Sequence, residues 1–183
     1  VFTDYALEWL DRYEDEEKPY FLYMAYTAPH DPLMAWPEDI ARYEGVYEAG
    51  YEAIRKARFQ KQKEMGLLDD SYKLSEPTYR NWGDLEGVEK EEEIRRMQVY
   101  AAMIDRLDQN IGRILSKVEA QGEAENTLVL FASDNGASSE VVRINPDGVI
   151  GTMERWSSQK GSWANVSNTP LRLYKNYSYE GGI

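Results

Sequence analysis

The stretch Thr127-Leu128-Val129-Leu130-Phe131-Ala132-Ser133-Asp134-Asn135-Gly136 decides how the rest of the chain is read. It opens as an unbroken apolar run and ends in two oxygen-bearing side chains and a glycine. Such a run, bounded by turn residues, has the pattern of a strand buried on both faces, as in a parallel sheet covered by helices. Side chains at the C-terminal end of such a strand face the crevice where α/β proteins bind ligands. Asp134 and Asn135 place a carboxylate and an amide carbonyl there, the oxygen donors that a hard cation such as calcium prefers. The same Asp-Asn-Gly sequence also makes metal-free turns, because Asp and Asn side chains hydrogen-bond their own backbone and glycine tolerates unusual dihedrals.

Outward from that stretch, helical and strand-like patterns alternate. Thr3 is placed to cap a first helix running to about residue 16, with Ala6, Leu10 and Tyr13 on one face. The acidic cluster 14–17 and Lys18-Pro19 close it, since proline disfavours helix at the residue before it. Residues 20–26 form a second continuous aromatic and aliphatic run, read as a buried strand. It ends in the polar tip Thr27-Ala28-Pro29-His30-Asp31-Pro32. Residues 33–47 read as mostly loop. Residues 48–65 read as a helix with Ala49, Ala53, Ala57 and Ile54 inward, closed by Gly66.

The longest periodic segment is 89–120, in which Met97, Tyr100, Ala101, Ile104, Leu107, Ile111, Leu115 and Val118 follow helical spacing. Its acidic start suits the positive end of the helix dipole, and its charges read as a solvated face. Residues 137–167 read as a long Ser-, Gly- and Asn-rich loop carrying Trp156 and Trp163. Residues 171–175 supply a third strand candidate, with Pro170 tolerable at its start. Helix, strand and polar loop in alternation predict an α/β fold: part of a mainly parallel sheet flanked by helices.

Composition narrows the function classes. The 183 residues fit one domain, and a formal net charge of −12 repels nucleic acid and anionic membrane surfaces. With no cysteine, disulfides, thiolate metal sites and a cysteine nucleophile are excluded within this sequence. No apolar run approaches the roughly 20 residues needed to span a bilayer. The chain starts at Val1 and stops just after Gly181-Gly182, which reads as a piece cut from a longer protein, so the compartment stays unassigned.

The candidate strand ends carry His30, the pair Asp134 and Asn135, and Lys175. A lone histidine is more often a structural hydrogen-bonding residue than a catalytic one, although its near-neutral pKa suits either role, and on spacing alone a lysine at a strand end is more often a plain surface residue. Brought together, a cation at Asp134 and Asn135 with His30 and Lys175 beside it would make an oxyanion-binding pocket. Trp36, Trp156 and Trp163 fit either a substrate rim or ordinary packing. Asn165-Val166-Ser167 and Asn176-Tyr177-Ser178 match the N-glycosylation pattern.

Four motifs add a resemblance. Residues 19–30 (PYFLYMAYTAPH), 100–112 (YAAMIDRLDQNIG), 133–136 (SDNG) and 168–175 (NTPLRLYK), the last followed by Glu180-Gly181-Gly182, occur in this order across the chain. Together they resemble type I sulfatases, in particular the bacterial arylsulfatase branch of the alkaline-phosphatase superfamily. The resemblance implies a sulfuric ester hydrolase that releases inorganic sulfate. It implies calcium ligation by Asp134 and Asn135 and catalytic contacts with the sulfate group from His30 and Lys175. The family nucleophile is a formylglycine made from the Cys or Ser of a Cys/Ser-x-Pro-x-Arg motif, and that motif does not occur in these 183 residues.

The expectation is therefore that 1–183 is a partial sulfatase catalytic domain, lacking an N-terminal nucleophile-bearing part and a C-terminal part. Its calcium shell is then incomplete and the chain alone inactive. The expected partner is a small-molecule or carbohydrate sulfate ester, with no nucleic acid and no membrane, and a homo-oligomer forms through exposed strand edges. The alternatives are a phosphate or phosphonate ester hydrolase of the same superfamily, or a non-catalytic assembly module.

Overall fold

The 89–120 periodicity becomes the spine of the molecule. In the structure, a computed structural model describing residues 1–14, 16 and 18–183, five α-helices follow one another. They are α1 (Phe2–Arg12), α2 (Pro37–Ala41), α3 (Gly50–Glu64), α4 (Gly87–Ala120) and α5 (Lys160–Ser167), with 3-10 turns at Trp82–Asp84 and Ala124–Asn126. None of these helices is long and apolar enough to cross a membrane.

The middle of α4 is buried on more than one side, because separate clusters pack against it. Met97 and Ala101 join Tyr47, Tyr51, Leu85, Trp163 and Val166 in one. Val99 and Ala102 join Leu33, Ile40 and Ile150 in the other. Ile104 and Leu115, expected to face inward, are exposed instead. The acidic and basic side chains of α4 are not all solvated either: Glu93 and Arg96 are buried. Glu93 is neutralised by Lys160 at 2.6 Å and accepts the Tyr51 hydroxyl at 2.8 Å. Burial, reinforced by the Glu93 carboxylate, holds the Tyr51 pKa above its ordinary value, so the hydroxyl stays protonated as the donor.

Polar ties fix the other helices to this spine. Arg106 of α4 grips the fully buried Asp39 of α2 with two hydrogen bonds of 2.8 and 2.9 Å, the bidentate geometry that suits a desolvated carboxylate. Lys117 reaches Asp11 of α1 at 2.6 Å, and the Gln121 side chain donates to the Leu10 carbonyl at 3.0 Å. Trp163 of α5, with no exposed surface, donates its indole N–H to the Glu93 carbonyl at 2.9 Å.

Several local expectations are corrected. Thr3 is not the cap of α1: Val1 takes that position, while Thr3 is buried against the Tyr26 hydroxyl at 2.9 Å. The helix ends at Arg12, so Tyr13, Glu14 and Glu16 of the predicted extension are not helical, and Asp15 and Glu17 of the acidic cluster lie outside the described residues. In α3 the inward face is Tyr51, Ile54 and Arg55, and Ala49, Ala53 and Ala57 face solvent. An aromatic ring and a guanidinium that donates to the Ser75 carbonyl and hydroxyl displace small alanines from the interface, because they cover more area. Within the two predicted loops lie the short helices α2 and α5. Asn165 is fully buried, with its carbonyl oxygen accepting from the Thr78 amide, so the glycosylation pattern there is inaccessible.

The three predicted strands do not pair. Among the described residues, the one β-bridge is the parallel Met34–Gly151 contact. Among the described residues no main-chain hydrogen bond joins 128–132 to another segment, and Leu128, Leu130 and Phe131 are 84, 85 and 78% exposed. Residues 20–26 alternate between exposed Phe21 and Tyr23 and half-buried Leu22 and Met24, the two-residue period of an extended segment with one face covered. A strand needs a neighbour for its N–H and C=O groups, and neither run has one among the described residues. Residues 171–175 are not extended. Leu173 has φ of 65°, the left-handed region, and the chain turns there.

Candidate functional site

The structure brings two of the four predicted site residues into direct contact. His30 follows a turn closed by its own N–H, which donates to the Thr27 carbonyl at 3.0 Å. Its Nε2 lies 3.4 Å from Nζ of Lys175, although 145 residues separate the two in sequence. The His30 side chain is 53% exposed, and Lys175 is half-buried.

The other two residues are neighbours to each other and joined to Lys175 through the backbone. Nδ2 of Asn135 donates to Oδ1 of Asp134 at 3.0 Å, and the Ser133 hydroxyl donates to the Asn135 carbonyl at 2.7 Å. Two residues on, the Ala137 carbonyl accepts from the Lys175 main-chain N–H at 3.0 Å. The 133–137 turn and the 171–175 turn therefore run side by side.

Asn168 makes that alignment rigid. Its Oδ1 accepts from the Ala137 N–H at 2.9 Å, and its Nδ2 donates to the carbonyls of Leu173 at 3.0 Å and Gly181 at 2.6 Å. Gly136 packs so closely on Gly181 that a Cβ at position 136 would overlap the Gly181 carbonyl oxygen. Glycine is required there by space rather than by dihedral. The Tyr174 and Tyr177 rings pack edge to face at 5.4 Å beside Lys175, and Arg172 lies over the Tyr179 ring at 4.7 Å.

His30 is held from the opposite side. Its Nδ1 sits 2.7 Å from the Asp31 carbonyl oxygen and 3.8 Å from Oδ1 of the Asp31 carboxylate. Oδ2 of that carboxylate accepts from the Ser158 hydroxyl at 3.0 Å and the Trp156 indole N–H at 3.3 Å. Main-chain bonds from Leu33 to Ser157 at 2.8 Å and from Ala35 to Gly151 at 3.2 Å dock the 150–158 stretch along residues 33–35.

Asp31, Ser158 and Asn168 are not among the site residues that the sequence pattern points to. Asn168 opens the NTPLRLYK motif and Asp31 follows His30, so both stood beside a signal. Ser158 carried none. Of the three tryptophans offered as a substrate rim, Trp163 belongs to the core, Trp36 is exposed, and Trp156 is the donor to Asp31.

As a cation site, the pair offers hard oxygens of the right chemistry. Asn135, however, presents its N–H rather than its carbonyl oxygen to Asp134, so a cation held by both side chains must displace that hydrogen bond. No group of three or more His, Asp or Glu side chains gathers at a possible metal position among the described residues.

The sulfatase family model matches residues 1–183. This chain belongs to the sulfatase family. It is 35% identical to an uncharacterized sulfatase of Schizosaccharomyces pombe over 98% of this chain and 36% of that protein. It is 36% identical to an arylsulfatase of Klebsiella aerogenes over 92% of this chain and 39% of that protein. A sulfatase of Formosa agariphila is 36% identical over 46% of this chain and 12% of its own length. The sulfatase chain thus spans well under half the length of these curated relatives. Family membership implies an α/β, alkaline-phosphatase-like fold, of which the helices and turns described above are a part.

Asn168 is expected to dominate the stability of the paired turns. In Asn168→Asp the carboxylate cannot donate to Leu173 or Gly181 and repels both carbonyls, at a cost of about 2 kcal/mol. Chemical denaturation reads that loss, and hydrogen exchange reads faster exchange at the Ala137 amide. Unchanged stability and exchange would remove Asn168 from its role.

Proposed function

We propose that this chain is part of the catalytic domain of a sulfuric ester hydrolase and supplies one wall of its sulfate-binding site. The observation that carries the reading is the contact between His30 and Lys175, two residues the family resemblance assigns to the sulfate group. The family match over the whole chain supports the same reading. A sulfate monoester carries a delocalised negative charge that grows on the departing oxygen as the S–O bond breaks. Donors fixed in place before that charge develops stabilise it without reorganisation. The Lys175 ammonium is such a donor, and its backbone is pinned to Ala137 on one side and its Nζ to His30 on the other.

Asp134 and Asn135 would hold part of a calcium shell, and the ion would add positive charge beside the sulfate oxygens. Calcium takes about six to eight oxygen ligands, so these two side chains are a minority of the shell. No residue of this chain fits the formylglycine precursor, because no Cys/Ser-x-Pro-x-Arg occurs in it. Residues 20–26 and 128–132 are read as strands of the family's mainly parallel sheet, taking up that form when neighbouring strands pair with them. Their unpaired state and exposed apolar side chains support this. In a second copy of the chain the same runs offer complementary edges, so the isolated chain is read as a homo-oligomer.

Incubated with an aryl sulfate, these 183 residues are expected to give no turnover above background, and turnover would overturn the partial-domain reading. In a longer polypeptide that carries the nucleophile motif, Lys175→Ala is expected to lower kcat/KM by about a hundredfold or more. Undiminished hydrolysis would remove Lys175 from the site. Size-exclusion chromatography with light scattering is expected to give a dimer or larger species for the isolated chain, and a clean monomer would contradict pairing through the exposed runs.

A further inference from the structure

The geometry points to Asp31 as the positioning residue for His30, fixing the imidazole in the Nδ1–H tautomer through an anchor on Ser158 and Trp156. The inference rests on the reading of His30 and Lys175 as the sulfate-facing pair, and it adds a residue and a protonation pattern to that reading. Both atoms that face Nδ1, the Asp31 carbonyl oxygen at 2.7 Å and carboxylate Oδ1 at 3.8 Å, are acceptors only. The atom that faces Nε2 is the Lys175 ammonium nitrogen at 3.4 Å, which has donors and no lone pair. One ring nitrogen therefore meets acceptors and the other meets a donor. A neutral imidazole satisfies both only with its hydrogen on Nδ1 and its lone pair on Nε2.

The carboxylate of Asp31 divides its oxygens between two tasks. Oδ2 is occupied by the Ser158 hydroxyl and the Trp156 indole, while Oδ1 is turned toward the ring. The side chain is 5% exposed, so solvent does not compete for these bonds. Ser158 is buried, and its neighbour Ser157 binds the main chain of Leu33 through both its carbonyl and its hydroxyl. The turn that presents the Asp31 carbonyl is thereby clamped to the 150–158 stretch. His30 in this tautomer accepts one N–H from Lys175, and the other ammonium hydrogens stay directed to an incoming anion.

His30 is the only histidine in the sequence, so its ring nitrogens give an unambiguous spectrum. A long-range 1H–15N correlation spectrum is recorded at about pH 8.5, roughly two units above the ordinary histidine pKa, without sulfate and without substrate. The wild type is expected to show protonated Nδ1 and unprotonated Nε2. Asp31→Asn turns an amide donor toward the ring and is expected to move the population to the Nε2–H form that a free histidine side chain favours. Ser158→Ala combined with Trp156→Phe, which keeps Asp31 and loosens its anchor, is expected to give a smaller shift in the same direction. Lys175→Met is expected to leave Nδ1 protonated, because Asp31 and not Lys175 sets the tautomer. A wild-type ring with protonated Nε2, a tautomer unchanged in both Asp31→Asn and the double variant, or a switch caused by Lys175→Met would each overturn the assignment. None of these readouts requires turnover, so loss of the sulfatase reading and loss of the Asp31 role are separately visible.

Discussion

The carboxamide of Asn168 joins three stretches of chain, and the candidate site depends on that joint. Amide oxygen and nitrogen face opposite hydrogen-bonding needs, and here they meet an N–H at Ala137 and two carbonyls at Leu173 and Gly181. No other side chain of that size can accept and donate in this arrangement except the longer glutamine, which would push the turns apart. Buried main-chain groups in turns need partners, and irregular segments cannot supply them from a ladder. Asn168 takes the place of that ladder. Because it does, the turn bearing Asp134 and Asn135 and the turn bearing Lys175 keep a fixed relation without regular structure between them.

The helical frame supports this joint from below. Trp163 and Val166 of α5 pack into the cluster built on Met97 and Ala101 of α4, and Asn168 follows directly from the end of α5. The Gln62 side chain of α3 donates to the Thr169 carbonyl at 2.8 Å, so a second helix holds the same corner. His30 is tied to the other α4 cluster, since Leu33 lies three residues beyond it and is fully buried with Val99 and Ile40. The contact between His30 and Lys175 is thus the meeting point of segments anchored in two core clusters, both built on α4 and bridged by Tyr43 and Tyr100.

The parts legible in the sequence are those governed by local physics. Helices α3 and α4 followed from periodicity and terminal glycines, to within two residues at each end. Which faces they bury did not follow: Ala53 and Ala57 looked inward and face solvent, while Glu93 and Arg96 looked outward and are buried in ion pairs. A buried charge is invisible to a hydrophobic pattern when its partner, here Lys160, comes from a distant segment. The strand expectations rested on long-range pairing, which 128–132 does not find here, and on extension at 171–175, which the left-handed Leu173 ends. His30, Asp134, Asn135 and Lys175 were legible as residue types at polar tips and through motif resemblance. Asp31 and Ser158 were not, because their roles arise only from the docking of 150–158 against 33–35.

His30 and Lys175, as proposed, act as one anion-facing pair. The most direct test follows the His30 ring resonances of the 15N-labelled protein during titration with inorganic sulfate, against sodium chloride at matched ionic strength. The account predicts a saturable shift with sulfate in the wild type that chloride does not reproduce and that Lys175→Met abolishes. A response identical for the two salts, or one that persists in Lys175→Met, would contradict it.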